Sequence, residues 1–371
     1  MKVKFIYFGT ALLVTVLFLA MGCKNTSQND SNDDQLKIGV VVPLTGNAGV
    51  LGDYTLKGLQ LAVDEQNNKG GLLGNQIVLD VQDSKADPKE GVSIVKKMYS
   101  AKEKPFMVYS IMSGVTMAIR SETESNKSIL MSAVGTDKFL KNSQYTFRNY
   151  VAANTTGLEI AKYLAENNYM NLTMFYSNNE YGNSVQKAVI RHCNARGIKV
   201  ASEAFEETSL DYKSMIAAKV TDKTECVYAA GVGKGLGTIF KQVKESGFAG
   251  EIIGDQLISL ADVVNTAGSA LNGIPYLDFS FDPKATDSNT VKFVNDFTEK
   301  YGKEPQNFSA ITYDGMKMLF DIIEKNKTID SDRIVEHMNS VKEYEGVFGP
   351  ISVRDRNLNF SFKFKTWNGK E

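Results

Sequence analysis

The sequence predicts an α/β protein made of two units, each a doubly wound parallel sheet with helices on both faces. Its 371 residues are enough for two domains and additional terminal segments. Hydrophobic residues make up 43% of the chain and charged residues 23%, which excludes a wholly disordered chain and a polytopic membrane protein. Short β-branched runs alternate with segments of helical periodicity, the order that builds parallel sheets.

The first unit begins with a buried strand and a helix. The run from Leu36 to Val42 is rich in β-branched residues and is followed by Pro43. This pattern predicts a buried strand. Apolar residues then recur at helical spacing from near Asp53 until Gly70, where glycine favours a helix stop. By the same criteria we expect a strand over Ile77–Val81, a helix with Val92, Val95 and Tyr99 on one face, and strands over Phe106–Tyr109 and Ile129–Ala133.

The pattern repeats after a crossover helix predicted over Ala152–Asn167. The second unit combines strands over Leu172–Tyr176, Lys199–Ala201, Val227–Ala230 and Ile252-Ile253 with a helix carrying Val185, Val189 and Cys193 and with helices near Lys213–Val220 and Lys234–Ser246. Two later helices, Asn289–Lys300 and Ser309–Lys325, lack sheet partners in this unit, so we expect them to pack on the first. The closing runs Gly349–Val353 and Phe360–Thr366 alternate as an edge hairpin would.

Charge and composition restrict the possible partners and chemistry. There are 42 Lys and Arg against 43 Asp and Glu, and this balance does not favour a nucleic-acid partner. Only 2 His and 3 Cys are present, so we expect no His/Cys metal site and no cofactor. The chain has no nucleophile elbow, P-loop or His-centred acid–base set, and we do not expect an enzyme. Cys193 and Cys226 are interpreted as buried free thiols, with a disulfide as the alternative in an exported protein.

The first residues predict an export signal. Lys2 and Lys4 give a basic start, an apolar run spans Phe5–Met21, and Gly22 and Cys23 follow. The stretch that ends at Cys23 resembles a bacterial lipobox, in which the Cys is acylated and becomes the new N-terminus. An uncleaved membrane anchor is the alternative, although the apolar run is shorter than the roughly 20 residues that span a bilayer. We therefore predict a lipoprotein signal peptide over residues 1–22 and a flexible tether over residues 23–35.

Small motifs lie in a fixed order along the body of the chain. They are Pro43-Leu44-Thr45-Gly46, Gly52, Gly58, Leu61-Ala62, Asn67, Gly70-Gly71, Gly74, Asp83, Asp87-Pro88, Ser113-Gly114-Val115-Thr116, Ser132-Ala133-Val134-Gly135-Thr136, Glu180-Tyr181-Gly182, Tyr313-Asp314 and Gly349-Pro350. By their order and spacing, the body from Leu36 to about Trp367 resembles the branched-chain amino-acid (Leu/Ile/Val) binding proteins of ABC importers, which are type I periplasmic binding proteins.

The resemblance implies two lobes that are joined by a hinge of three chain crossings and bind a ligand in the cleft between them. Lobe 1 is expected to contain residues 36–150 plus about 282–343. Lobe 2 is expected to contain residues 151–281 plus about 344–371.

Ser113 and Thr136 each follow a predicted strand of the first unit, at the edge where open α/β sheets bind ligands. Ser113 opens a helix, whose first N–H groups suit a carboxylate, although it could serve only as a cap. The Thr136 hydroxyl and the Val134 carbonyl could hold a carboxylate and an ammonium, or the hydroxyl could bond to its own turn. The resemblance favours ligand contact for both Ser113 and Thr136.

The second unit is expected to supply an aromatic residue and an acid. Tyr181 could close over the ligand, or it could pack on a helix start. A ligand ammonium must be paired once water is expelled, and the resemblance places the acid after Gly254. Matching the two sequences without a gap puts that position at Gln256, whereas a one-residue shift puts it at Asp255. We favour Asp255 as the acid; the alternative is that Asp255 only caps a loop.

Three residues are expected to shape the side-chain pocket. Phe308 matches a pocket aromatic of the family, whereas Leu51 and Val232 stand where the family often has aromatic residues. The pocket would stay apolar and suit Leu, Ile, Val or an aromatic amino acid. A carboxylate or amide without an amine would fit if the acid's position is held by Gln256. All three residues could equally be core or loop residues.

The function that the resemblance implies is that of an extracytoplasmic solute-binding lipoprotein of an ABC importer. It would capture a branched-chain or similar apolar or aromatic amino acid and present its closed form to a permease. A ligand-sensing receptor component that binds an amide or small carboxylate is the alternative. We expect an exported monomer, lipid-anchored at the periplasmic or outer face of a bacterial membrane.

Overall fold

A computed structural model describes residues 35–369 of the protein. The predicted signal peptide, Cys23 and the tether up to residue 34 lie outside this part of the chain. Within it, no helix has both the length and the apolar character needed to cross a membrane.

The first lobe begins with alternating strands and helices, as predicted. Its N-terminal elements are β1 Leu36–Val42, α1 Gly49–Asn68, β2 Ile77–Asp83, α2 Pro88–Ser100, β3 Met107–Ile111, α3 Ser113–Ser125, β4 Ile129–Ala133 and β5 Thr146–Arg148. Helix α1 begins at Gly49 rather than near Asp53, so Leu51 lies in its first turn. Strand β3 runs on to Ile111, which leaves a single residue before α3 begins at Ser113.

The second lobe repeats the plan. Its elements are α4 Ala153–Glu166, β6 Asn171–Ser177, α5 Glu180–Asn194, β7 Lys199–Phe205, α6 Lys213–Lys219, β8 Cys226–Ala230, α7 Gly233–Glu245, β9 Glu251–Asp255, α8 Ala261–Ala267 and β10 Pro275–Phe279, with short 3-10 helices at Gln256–Ser259 and Gly268–Leu271. Cys193 and Cys226 are both buried and unbridged, as the sequence favoured.

The C-terminal part of the chain serves both lobes. Its elements are α9 Ser288–Tyr301, α10 Asn307–Asn326, α11 Ser331–Asn339, β11 Tyr344–Gly346, β12 Gly349–Arg354, β13 Asn357–Asn359 and β14 Phe362–Thr366. Helices α9 and α10 return to pack on α1 of the first lobe, as expected.

Two mostly parallel sheets organise the described residues. The first has the strand order β11-β12-β13-β5-β4-β3-β1-β2, and the second has the order β14-β10-β9-β8-β6-β7. Strands β1 to β5 pair in parallel, and so do β6 to β10, whereas β11, β12 and β14 pair antiparallel to their neighbours.

Strand pairing corrects two predictions about the C-terminal residues. The predicted boundary gave residues 344–371 to lobe 2, but β11, β12 and β13 join the first sheet, where Asn357 pairs with Arg148. Only β14 joins the second sheet. The runs predicted as one hairpin therefore lie in different lobes, because residues 360–361 carry the chain across between them. Together with residues 149–152 and 280–287, this gives the three predicted crossings.

Helices cover both faces of each sheet. On β1, Val40 and Val42 belong to the same apolar cluster as α1 and α10, whereas Val41 on the other face packs with α2 and α3. The second sheet is also covered on both faces. Met174 packs among residues of α4 and α5, whereas Phe175 lies in the apolar cluster that includes α7. Both sheets are thus buried, and their carboxyl ends are left as the places where side chains can meet a ligand.

Candidate functional site

A cavity lies where the carboxyl ends of the two sheets face each other. It is compact, with about 390 Å³ of space unfilled by protein atoms, including its open mouth. Its lining is mostly apolar and comes from both lobes: Leu51, Met112, Ser113, Ala133, Gly135, Tyr150, Asn179, Tyr181, Glu207, Val232, Leu257 and Phe308. Five predicted site residues are therefore brought together, namely Leu51, Ser113, Tyr181, Val232 and Phe308.

The first lobe contributes a helix N-terminus. Parallel pairing sets Ile111 of β3 beside Ala133 of β4, so the residues after both strands emerge together. Helix α3 begins at once with the buried Ser113, and among the described residues no side chain caps it. Its first intrahelical bond is donated by Thr116, which leaves the N–H groups of residues 113–115 available to an anion.

The turn into α3 is strained. Met112, which precedes the helix, has a backbone φ of +70°, in the region that favours glycine. This conformation lets β3 turn into α3 within one residue and places Met112 itself in the lining. The place of Met112 in the cavity was not predicted, because a positive φ on a bulky residue cannot be predicted from residue type.

Aromatic side chains form the wall near the hinge. Tyr150, in the first crossing, stacks on Phe308 of α10 with ring centres 5.4 Å apart and planes at 27°. Gln256 supports this wall from behind, because its buried amide donates a hydrogen bond of 2.6 Å to the Tyr150 hydroxyl. Gln256, the alternative to Asp255 for the acid's position, thus lies outside the lining. Tyr150 belongs to the lining and follows a three-residue strand that was not predicted.

Asp255 also lies behind the lining rather than in it. Its Oδ2 accepts hydrogen bonds from the hydroxyls of Tyr181 at 3.1 Å and Tyr228 at 3.0 Å, and its Oδ1 accepts one from the Leu257 N–H at 3.1 Å. Burial raises the pKa of the Asp255 carboxyl to about 6. With its oxygens occupied by these donors, Asp255 orients Tyr181, and the predicted direct contact with a ligand ammonium is not what the geometry favours.

Thr136 is occupied by a contact between the lobes. Its buried hydroxyl donates a hydrogen bond of 2.8 Å to Oε1 of Glu180 at the start of α5. Val134 is likewise buried and outside the lining, whereas its neighbours Ala133 and Gly135 are part of it. Neither Thr136 nor Val134 therefore lines the cavity, and the Thr136 hydroxyl joins the first lobe to the second.

The lobes are closed on one another. The Asp137 N–H donates a hydrogen bond of 3.1 Å to the Ser184 hydroxyl, beside the Thr136 contact. On the far side of the cleft, a Cβ at Gly233 would lie 3.2 Å from the Asn47 carbonyl oxygen. A Cβ at Gly135 would lie 2.9 Å from the Tyr181 ring, so only glycine lets that ring lie across the cavity.

Two polar residues of the second lobe were missed by the sequence analysis. Ser177 of β6 pairs with Phe205 of β7, so Asn179 and Glu207, each two residues further on, emerge side by side. Both line the cavity. The prediction ended β7 at Ala201, four residues early, so Glu207 was not recognised as a residue that follows a strand end.

Comparisons with known proteins agree with this architecture. A family model described as periplasmic binding protein matches residues 35–368. The Leu/Ile/Val-binding protein homolog 2 of Brucella abortus is 27% identical over 337 residues, which cover 89% of each chain. The Leucine-, isoleucine-, valine-, threonine-, and alanine-binding protein of Pseudomonas aeruginosa is 24% identical over 360 residues, which cover 95% of each chain.

Solved structures share the fold. The leucine binding protein LivK from Thermotoga maritima superposes with a TM-score of 0.83 at 22% identity, covering 90% of this chain and 96% of that one. LivJ from Streptococcus pneumoniae, in complex with isoleucine, superposes with a TM-score of 0.79 at 23% identity. The match covers 90% of this chain and 97% of that one. A solute binding protein from Rhodopseudomonas palustris, in complex with 3,4-dihydroxy benzoic acid, superposes with a TM-score of 0.79 at 19% identity. The match covers 90% of this chain and 93% of that one.

Proposed function

Because this chain belongs to the type I periplasmic binding protein family, whose members bind solutes rather than transform them, we propose that it captures a small apolar amino acid for an ABC importer. The observation that carries the proposal is the cavity that lies between the two lobes where they close on one another. Its lining combines the uncapped start of α3, an acid and aromatic walls. Leucine, isoleucine and valine, the amino acids for which the relatives from Brucella abortus and Pseudomonas aeruginosa are named, suit such a lining.

Capture works through closure of the hinge. A ligand that touches both lobes binds the closed form better than the open form and shifts the equilibrium by that difference in affinity. Hydrogen bonds to charged groups contribute roughly 1.5–3 kcal/mol each. Three or four of them give roughly 5–12 kcal/mol, and burial of an apolar side chain adds about 1.5–3 kcal/mol. Together they are comparable to or larger than the roughly 8 kcal/mol of a micromolar complex before association costs are subtracted. The closed form then presents a surface formed by both lobes to the permease.

A small carboxylate is the second candidate ligand. The solute binding protein from Rhodopseudomonas palustris has this fold and holds 3,4-dihydroxy benzoic acid. The stacked rings of Tyr150 and Phe308 in this chain offer an aromatic surface for such a ring. A receptor component that senses such a carboxylate, or an amide, would use the same cleft.

A thermal-shift screen of the mature chain tests the proposal. The ligands are the twenty standard amino acids, their amides and a set of small carboxylates. A ligand at a hundred times its dissociation constant stabilises the folded state by about 2.7 kcal/mol, which raises the melting temperature. We expect such a rise with a few apolar amino acids, and no rise with any amino acid would refute amino-acid capture.

We further propose that the protein is exported and held at a membrane surface by acylation of Cys23. Stable anchoring takes about two lipid signals, which a diacylated and N-acylated Cys supplies. Expression of Cys23→Ser beside the unaltered chain, followed by membrane fractionation, checks this. The variant should leave the membrane fraction, and a variant that stays there would indicate an uncleaved helical anchor.

A further inference from the structure

Glu207 carries a negative charge into a cavity that supplies no cation. Of the twelve lining residues, it is the only one with a charged side chain. Among the ion pairs of residues 35–369, none includes Glu207. A carboxylate in an apolar, closed site is costly unless a cation pairs with it. The missing partner can be supplied by a ligand.

The carboxyl of Glu207 is held in place by Asn179. The Asn179 side-chain oxygen caps α5 by accepting from the Gly182 N–H at 2.9 Å, which fixes the orientation of the amide. Its nitrogen then donates to Oε1 of Glu207 at 3.0 Å. The backbone of Glu207 is also confined, because a Cβ at Gly235 would lie 2.5 Å from the Glu207 carbonyl oxygen.

The electrostatic surroundings agree with an acid that lacks a counter-charge. Burial raises the pKa of the Glu207 carboxyl above its ordinary value, and the neighbouring Ser177, Val232 N–H and Asn179 oppose that shift only in part. These neighbours are uncharged, so they favour the carboxylate without cancelling its charge. An ammonium group would do both.

We propose that Glu207, rather than Asp255, receives the ammonium of the ligand, and that the cavity therefore selects amine-bearing zwitterions over simple carboxylates. This inference rests on the proposed function and specifies its ligand class. The zwitterion spans the cleft: its carboxylate lies at the start of α3 beside Ser113 in the first lobe, and its ammonium lies at Glu207 in the second. Each end engages a different lobe, so losing the amine also weakens closure.

Equilibrium titration with L-leucine and with 4-methylpentanoate, which is leucine without its amine, tests this. The variants are Glu207→Gln and, as a matched control, Glu206→Gln. Glu206 is exposed and accepts a hydrogen bond from Asn178 at 2.7 Å. It therefore forms the same kind of Asn–Glu pair as Glu207 does, but outside the cavity. Glu207→Asp, which keeps the charge, guards against a variant that fails only through misfolding.

The unaltered protein should bind leucine at least about tenfold more tightly than 4-methylpentanoate, the change expected for one charged hydrogen bond. Glu207→Gln should lose at least about tenfold in leucine affinity with little change for 4-methylpentanoate, whereas Glu207→Asp should retain part of the preference and Glu206→Gln all of it. Unchanged leucine binding by Glu207→Gln would overturn the inference alone. Tighter binding of 4-methylpentanoate than of leucine by the unaltered protein would also overturn it, yet leave solute capture standing. Failure to bind leucine or any other amino acid would overturn both proposals.

Discussion

The side-chain amide of Asn179 donates a 3.0 Å hydrogen bond to Glu207, and thereby links the start of α5 to the loop after β7. Because the Asn179 oxygen is already engaged by the Gly182 N–H, the amide has one orientation, and the acid is presented to the cavity in a fixed position. A preorganised acid binds an ammonium without the cost of ordering a flexible side chain.

Asn179→Ser should weaken leucine binding several-fold while hardly changing the stability of the fold. Serine keeps the helix cap but removes the amide donor, so Glu207 loses its support. The matched control is Asn178→Ser, whose partner Glu206 is exposed. Titration calorimetry and thermal melting of both variants give the comparison, and equal leucine affinities in the two would show that Asn179 does not position Glu207.

Asp255→Asn should lower the free energy of unfolding and keep the preference for leucine over 4-methylpentanoate. The carboxylate that accepts from Tyr181, Tyr228 and Leu257 is replaced by an amide with one acceptor, so buried donors lose partners at about 1–3 kcal/mol each. Denaturant unfolding measures the first effect and paired titrations the second. A selective loss of leucine affinity would instead identify Asp255 as the ammonium partner.

Thr136→Val should shift the protein toward the open form. The substitution keeps the shape of the side chain but removes the hydrogen bond to Glu180, which crosses the cleft at 2.8 Å. A hydrogen bond to a charged group contributes about 1.5–3 kcal/mol, so affinity should fall by at most roughly ten- to a hundredfold, equally for every ligand that closes the cleft. Small-angle scattering of the unliganded variant checks the opening, and a loss confined to carboxylate-bearing ligands would mean that Thr136 contacts the ligand directly.

Thermal stability should decline as the pH rises from about 5 to 7, and Asp314 should cause part of that decline. Burial raises the pKa of the Asp314 carboxyl to about 7, although it accepts from the N–H groups of Val347 at 2.9 Å and Phe348 at 3.2 Å. The folded state therefore holds a proton that the unfolded chain, with an ordinary carboxyl pKa near 3.8, has already lost, so raising the pH favours unfolding.

The comparison for Asp314 is between the slopes of melting temperature against pH. Asp314→Asn removes the titrating group, so its slope between pH 5 and 7 should be flatter than that of the unaltered protein, whatever its absolute stability. Asp255, with a pKa raised to about 6, contributes a decline of the same sign that remains in the variant. Parallel slopes in the two proteins would rule out a proton held by Asp314.

Local patterns were sufficient to predict the order of most elements. β-branched runs located β1, β3 and β4, and helical spacing located α1 and α2. The position of Ser113 right after a strand predicted its place at the start of α3. These signals depend only on neighbouring residues. A strand of three residues carries too little periodicity, which is why β5 was missed. The five-residue strand β10 was not predicted either.

Long-range pairing could not be predicted in the same way. Alternation identified Gly349–Val353 and Phe360–Thr366 as strands but not their sheets, because the choice depends on a crossing between the lobes. Glu207 was missed because β7 is an edge strand whose exposed residues dilute the apolar pattern. The position of Asp255 after a glycine suggested a ligand contact, but Tyr181, which covers it, lies 74 residues away in the chain.

A crystal structure of the mature protein grown with L-leucine tests the central claim most directly. We expect leucine between the lobes, with its nitrogen about 2.7–2.9 Å from a carboxyl oxygen of Glu207 and its carboxylate at the first N–H groups of α3. A leucine nitrogen bound to Asp255 or to Thr136, with Glu207 left without contact to the ligand, would contradict the assignment.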